Sequence, residues 1–252
     1  MKILGRFLSA LSLAVLFKGT LAMAAVSVPF STNFPNETSI ADFTSTGGTW
    51  SIQNGKYRNA LGGSTPSSST VRVTSGLEQG FQLSTTYTLV SRGGAISNTF
   101  VGFAALAPNA DATTATSSTP FILADVISDG NLRIVLVNGT NNPTPLATAA
   151  LPANTIATGG TYTLTLTGIY ATGGLDLTFS LTSNGVTTSA SGRLEGSNVP
   201  TGEYFGFRNR SGGGGTSITA DFHDISLNAI PEPGATALLL LGGAAALVRR
   251  RR

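Results

Sequence analysis

The sequence predicts an all-β protein: a two-sheet antiparallel sandwich flanked by an N-terminal signal helix and a C-terminal transmembrane helix. Three observations lead there. Between residues 25 and 229, apolar residues alternate with Ser and Thr at a period of two, the pattern of strands with one face in a core. No convincing amphipathic helical periodicity runs through that stretch. The two ends are apolar runs flanked by basic residues, unlike the middle.

Residues 1–24 read as a secretory signal peptide. Lys2 and Arg6 precede the mostly apolar run Phe7–Phe17, and Ala22-Met23-Ala24 places small residues where a signal peptidase cuts. The run is too short to span a bilayer.

Strand signals then dominate. Phe81–Val90 and Thr99–Leu106 read as further strands, and Phe121–Ile127 and Leu132–Asn138 are nearly continuous apolar runs joined by Asp129-Gly130-Asn131. Such runs suit strands near the middle of a sandwich. Thr161–Thr167 and Leu175–Thr182 alternate most cleanly, and Ala171-Thr172-Gly173-Gly174 between them predicts a hairpin. Asn184-Gly185 marks a further tight turn into Val186–Ala190. Tyr204–Arg208 and Ser217–Leu227 complete the set. In the latter the apolar parity switches between Phe222 and Ile225, which predicts a bulge or kink at His223-Asp224. Gly62–Thr70, Ala107–Pro120, Gly139–Pro152 and Ser211–Gly215 lack periodicity and read as loops. This makes about ten to twelve strands around one core.

Residues 230–252 read as a sorting signal and membrane anchor. Pro231-Glu232-Pro233 precedes the uncharged run Gly234–Val248, and the chain ends in Arg249, Arg250, Arg251 and Arg252. From Ile230 the segment is long enough to cross a hydrocarbon core of about 30 Å as a helix. The arginines hold its end in the cytoplasm and leave the β domain outside.

Charge and composition narrow the function. Seven of the 15 basic residues and one of the 12 acids lie in the terminal segments, so the middle carries eight basic and eleven acidic residues, a formal charge of −3. Nucleic-acid binding, which depends on phosphate neutralisation, is excluded. With no cysteine, disulfides, thiolate metal sites and thiol catalysis are excluded too. No cofactor is implied.

The tail Ile230-Pro231-Glu232-Pro233, apolar run, arginine cluster resembles the PEP-CTERM sorting signal of Gram-negative bacteria. The resemblance implies recognition of Pro231, Glu232 and Pro233 by an exosortase-type protease and transient membrane anchoring. Release at the cell surface or outside would follow, commonly beside extracellular polysaccharide. The middle is similar to concanavalin A-like and LamG-like jelly rolls. The resemblance runs through Gly48-Thr49-Trp50-Ser51-Ile52, Asn54-Gly55-Lys56-Tyr57, the Tyr162–Leu181 hairpin, Gly202–Arg208 and Ala220–Leu227.

Candidate chemistry is sparse. Glycoside hydrolysis needs two carboxyls flanking the scissile bond, and the Glu-x-Asp spacing found in glucanases of that fold is missing. Asp221 and Asp224 fall on opposite faces of a regular strand unless the kink brings them together. His223, the one histidine, has no Gly-x-Ser-x-Gly elsewhere to serve. Asp125, Asp129 and Asn131 around a turn are candidate calcium ligands. Trp50, Tyr57, Tyr204, Arg208 and Arg210 are the candidate glycan-binding set, with core packing the competing role for Trp50. The sequence therefore reads as an exported, non-enzymatic surface or matrix protein associated with exopolysaccharide. The alternatives are a lectin-like carbohydrate-binding module and a divergent glycoside hydrolase.

Overall fold

The computed structural model describes residues 25–63, 66–94, 99–111, 120–127, 130–139, 145–212 and 215–231. The expected signal helix and transmembrane helix lie outside these residues. Among those described, no helix is long and apolar enough to cross a membrane. The helical elements among the described residues are short 3-10 turns at Glu37–Ile40 and Gly196–Asn198.

The first half of the chain forms β1 (Ala25–Val26), β2 (Phe30–Asn33), β3 (Thr44–Thr46), β4 (Thr49–Gln53), β5 (Lys56–Gly62), β6 (Pro66–Val73), β7 (Gly80–Gly93) and β8 (Phe100–Ala107). Next come β9 (Phe121–Ile127), β10 (Asn131–Val137), β11 (Pro145–Ala150), β12 (Thr161–Ala171) and β13 (Gly174–Ser183). The last are β14 (Val186–Glu195), β15 (Tyr204–Arg210), β16 (Ser217–Phe222) and β17 (Asp224–Ala229). Sheet I runs β1-β6-β15-β8-β9-β10-β11, with β3 also on β6. Sheet II runs β14-β13-β12-β7-β16-β5-β4, with β17 pairing β7 and β2. Apart from the parallel β1–β6 pair, the ladders are antiparallel. The predicted sandwich is therefore observed, with more strands than the sequence suggested.

Local chemistry places most boundaries. Asn184 and Gly185 both take positive φ, +50° and +78°, the backbone of a two-residue turn matching strand twist. At the predicted kink, β16 ends at Phe222 and β17 starts at Asp224. Ile218, Ala220 and Phe222 before the break and Ile225 and Leu227 after it are all buried. Skipping one residue restores the inward parity.

Two expected loops are strands. Gly62–Thr70 contains most of β6, and Gly139–Pro152 contains β11. β6 escapes a periodicity test because its inward side chains at one end are serines. Ser67 accepts from Asn59 Nδ2 at 3.0 Å, and the Ser69 and Tyr57 hydroxyls lie 2.8 Å apart. Partnering from the opposite sheet lets these polar groups be buried at low cost. β11 begins with Pro145 at a sheet edge, where a missing N–H donor is tolerated.

Aromatic side chains clamp the sheets together. Phe207 from sheet I stacks on Phe222 from sheet II, centroids 4.0 Å apart, with Trp50 stacked 6.2 Å from each. Tyr57 joins Trp50 at 4.9 Å and Phe34 at 5.1 Å. Beside this cluster a polar chain crosses the interior: Asn209 Nδ2 donates to Asn59 Oδ1 at 2.8 Å, and Asn59 donates on to Ser67. On the outward side of sheet II, register aligns hydroxyls in rows. One row is Thr86, Thr163, Thr182 and Thr187, and the next is Ser84, Thr165, Ser180 and Ser189. Several neighbours bond each other, as in Thr182–Thr187 at 2.7 Å and Thr88–Thr161 at 3.0 Å.

Asn59→Ala strips partners from the buried Asn209 and Ser67 side chains and should cost about 1–3 kcal/mol. Tyr57→Phe should cost less, about 1 kcal/mol, because Ser45 and Ser69 still bond each other at 2.9 Å. Urea denaturation midpoints should rank wild type, Tyr57→Phe, then Asn59→Ala; equal midpoints for Asn59→Ala and wild type would contradict the polar chain's role.

Candidate functional site

Side chains of β15 alternate between the core and the outside. Phe205, Phe207 and Asn209 point inward, so Tyr204, Arg208 and Arg210 face the outer side of sheet I. Register then assembles a line across that side: Arg208 pairs with Gly102, Gly102 with Asp125, and Asp125 with Arg133. The adjacent line runs Arg210, Phe100, Ile127, Asn131. Gly102 is required by close approach, since a Cβ there would lie 2.1 Å from the Ala124 carbonyl oxygen. Its bare backbone leaves room between Arg208 and Asp125.

Asp125 and Arg133 form a two-pronged ion pair. Arg133 Nε donates to Oδ1 at 2.8 Å and Nη2 donates to Oδ2 at 2.9 Å. The Asp125 side chain is 3% exposed and that of Arg133 22%. The Arg133 guanidinium lies 4.5 Å above the Phe100 ring centroid, and Arg210 approaches the same ring at 5.9 Å, both within cation–π range. Arg208 is buried. Burial pushes its guanidinium down to about 10, and although Asp125 opposes the shift, Arg210 and Arg133 add to it. Further along the same face, Ala104, Ala107, Phe121, Leu123, Val135 and Val137 form a second buried apolar cluster, against which Tyr204 packs. Thr70 donates to the Ala110 carbonyl at 2.9 Å, tying the chain after β8 to this face.

The structure divides the candidate glycan set. Tyr57 is 1% exposed and belongs to the core, while the half-buried Trp50 packs one side against that core through Tyr57 and Phe207. Tyr204, Arg208 and Arg210 share the outer face, with Tyr204 at the apolar end. Two of the calcium candidates, Asp125 and Asn131, join Arg208 and Arg210 on this face, and Asp129 lies outside the described residues. Both Asp125 oxygens are already engaged by Arg133, and no group of three potential metal ligands occurs among the described residues.

The remaining candidates are engaged separately. Asp221 receives Arg58 through two bonds of 2.6 and 2.7 Å, while Asp224 accepts from the Thr86 amide at 2.8 Å. The kink does not make them a free carboxyl pair. His223 Nε2 lies 2.8 Å from the Thr88 hydroxyl. Its pKa is lowered by burial and by Lys56, against Asp224 and Asp221. Of the sorting motif, Pro231 is described; Glu232, Pro233 and Arg249–Arg252 lie outside.

Sequence reasoning missed Phe100 and Arg133, yet a signal existed. Asp125 and Arg133 are lone opposite charges in consecutive apolar runs, equally distant from Asp129. An antiparallel hairpin closing there sets them face to face. Two concavities lie away from this cluster. One of about 330 Å³ beside Tyr170 and Phe205 and another of about 390 Å³ beside Thr86 each offer a single charged side chain, Glu78 and Asp224 respectively.

No known protein-family profile matches the sequence, and no curated protein does so. Solved structures do match in fold. A lectin from Bauhinia forficata in complex with GalNAc superposes with a TM-score of 0.55 at 16% identity, over 80% of this chain and 99% of that one. A legume lectin-like domain from Entamoeba histolytica gives 0.58 at 12% identity, over 82% and 100%. A seed lectin from Lotus tetragonolobus gives 0.57 at 17% identity, over 82% and 100%. Likeness at this identity establishes the fold: a lectin-like, concanavalin-like β-sandwich.

Removing one partner of a buried ion pair leaves the other charge uncompensated. Asp125→Ala should therefore lower stability by about 3 kcal/mol. Glu203→Ala breaks the half-exposed Arg72 pair, whose side chains are 42% and 45% accessible, and should cost less than about 1 kcal/mol. Chemical denaturation of both variants checks the contrast, which fails if the two losses are equal.

Proposed function

We propose that this chain is an exported, lectin-like carbohydrate-binding module that takes its sugar on the outer face of sheet I, around Phe100, Asp125, Arg133, Arg208 and Arg210. The observation that carries the reading is this cluster of charged and aromatic side chains, held by four adjacent strands of a lectin-like sandwich. Sugar recognition needs directional hydrogen-bonding groups beside an apolar surface. Arg133 is fixed by two bonds and a ring contact, so its geometry is set before a ligand arrives. Phe100, 5% exposed beneath the Arg133 and Arg210 guanidinium groups, sets the orientation in which they meet a ligand.

Binding without turnover fits the neighbours, which are named as lectins, one of them in complex with GalNAc. It fits equally the engagement of Asp125, Asp176, Asp221 and Glu203 by arginines, since a glycosidase needs carboxyls available as acid and base. Fold by itself does not select between binder and hydrolase.

Delivery belongs to the same proposal. Met1–Ala24 directs export with cleavage by signal peptidase. Pro231-Glu232-Pro233 and Arg249–Arg252 form a PEP-CTERM-like address for an exosortase-type protease, which leaves the sandwich at or beyond the surface of a Gram-negative cell, beside extracellular polysaccharide.

On a glycan array, the full-length protein in mild detergent should bind a subset of sugars saturably. Phe100→Ala should lose at least about tenfold in affinity, equivalent to about 1.4 kcal/mol, without losing the folded far-UV spectrum. Wild-type protein that binds no sugar would leave a matrix protein without a glycan site as the better reading. Deleting Pro231–Arg252 should move the protein from its envelope location into the soluble exported fraction; unchanged fractionation would contradict the sorting role.

A further inference from the structure

The chain enters and leaves the sandwich at the same end. β1 runs parallel to the last residues of β6, Ala25 beside Arg72 and Val26 beside Val73. Val28 then lies against the β6–β7 connection, where a Cβ on Gly76 would run into its side chain. At the other terminus the Ile230 amide donates to the Gly80 carbonyl at 3.1 Å, and Gly80 pairs with Ile169. Ile230 is therefore still part of the folded body. Only Pro231, Glu232 and Pro233 separate it from the uncharged run Gly234–Val248. Past the level of Ile169, the β12–β13 hairpin continues through Tyr170 and Ala171 to its turn at Thr172 and Gly173.

We propose that, while the tail anchors the protein, this end of the sandwich is held against the bilayer surface, with the tip of the β12–β13 hairpin in the lipid headgroup layer. This rests on the membrane-anchor reading above and fixes how the proposed sugar-binding face is presented. Tyr204 lies at the docked end, paired with Arg72. Arg210 lies at the other end of the same strand, about 20 Å further from the membrane.

Lengths decide the matter. A three-residue tether reaches at most about 10 Å. The hairpin tip extends about 7 Å beyond the level of Ile230, which leaves it about 3 Å from the hydrocarbon. The headgroup layer on each side of a bilayer is about 5–8 Å deep, so the tip lies within it. The side chains suit that depth. Ile169 is 44% exposed and is followed by the half-buried Tyr170, and tyrosine favours the membrane–water interface. Thr172 and Gly173 at the tip are exposed and uncharged. The nearby arginines are already paired, Arg193 with Asp176 and Glu195 and Arg72 with Glu203, so the tether rather than attraction to lipid charge holds the contact. The position of Ala25 agrees: a signal peptide ending at Ala24 and the tail can occupy one bilayer together without either passing across the body.

The test uses the exported chain with its tail, purified from a host without the processing protease and reconstituted in phosphatidylcholine nanodiscs. Because the protein has no cysteine, Thr172→Cys and Val186→Cys each accept a single environment-sensitive fluorophore. Val186 is the exposed first residue of β14, at the opposite end of the sandwich. Where Thr172→Cys disturbs folding, Ala171→Cys, exposed beside it, takes its place. With nitroxide-headgroup lipid in the disc, the hairpin label should lose most of its emission and the label at 186 should keep most of its own. A Gly/Ser linker of about twelve residues inserted between Ile230 and Pro231, with a reach of about 20 Å, leaves the motif intact and should restore the hairpin label to the level seen at 186. Equal quenching at the two positions, or none at the hairpin, in protein that co-elutes with the discs overturns the docking and leaves the anchor standing. Quenching that survives the insertion overturns the role given to the tether. Protein that fails to enter the discs overturns the anchor reading itself.

Discussion

The contact on which the rest depends is the passage through the middle of the sandwich, where Phe207 of β15 stacks on Phe222 of β16 and Asn209 reaches Asn59. Two sheets with greasy inner faces attract one another without preferred alignment, because the hydrophobic effect is non-directional. A hydrogen-bond chain is directional, and the one from Asn209 through Asn59 to Ser67 supplies the alignment. Since β15 alternates, fixing Phe207 and Asn209 on the inside also fixes Arg208 and Arg210 on the outside. The interior of this molecule determines where its charged face points.

That face is held at a cost in stability. An ion pair as buried as Asp125–Arg133 carries a desolvation cost that mutual attraction only partly offsets, and apolar substitutes of similar volume often do as well or better. Such a pair is therefore weak evidence of a stabilising role. Its position in the line with Gly102 and Arg208 has a clearer use, because it holds a planar donor group in one orientation over an aromatic ring. The four participating strands belong to the densely paired centre of sheet I, which gives the cluster rigid support on both sides.

Much of this was legible in the residues. The β12–β13 hairpin, β9, β10 and the kink after Phe222 follow from alternation and turn chemistry alone, which are local. β6 was not legible because Ser67 and Ser69 face a core, and a serine's suitability for burial depends on a partner such as Asn59 or Tyr57 in another sheet. β11 was hidden by Pro145 and a run of small residues. For the site, Arg208 and Arg210 were visible as candidates, but Trp50 and Tyr57 look identical in sequence whether they face inward or outward. What separates them is which strand face meets the other sheet, a non-local fact. Arg133 was overlooked because a lone charge in an apolar strand invites dismissal until its hairpin partner is considered.

The rows of Thr and Ser along β7, β12, β13 and β14 differ from the arginine-bearing side in one further way. Hydroxyls at these positions do not ionise across the ordinary range of acidity, and their water shell owes nothing to counter-ions. If the protein is held by its guanidinium side, the rows of hydroxyls on the opposite wall stay wetted by water in brine, acid or alkali. Molecules anchored side by side in that orientation would turn outward a surface wetted by uncharged hydroxyls as well as by the Arg193, Asp176 and Glu195 charges.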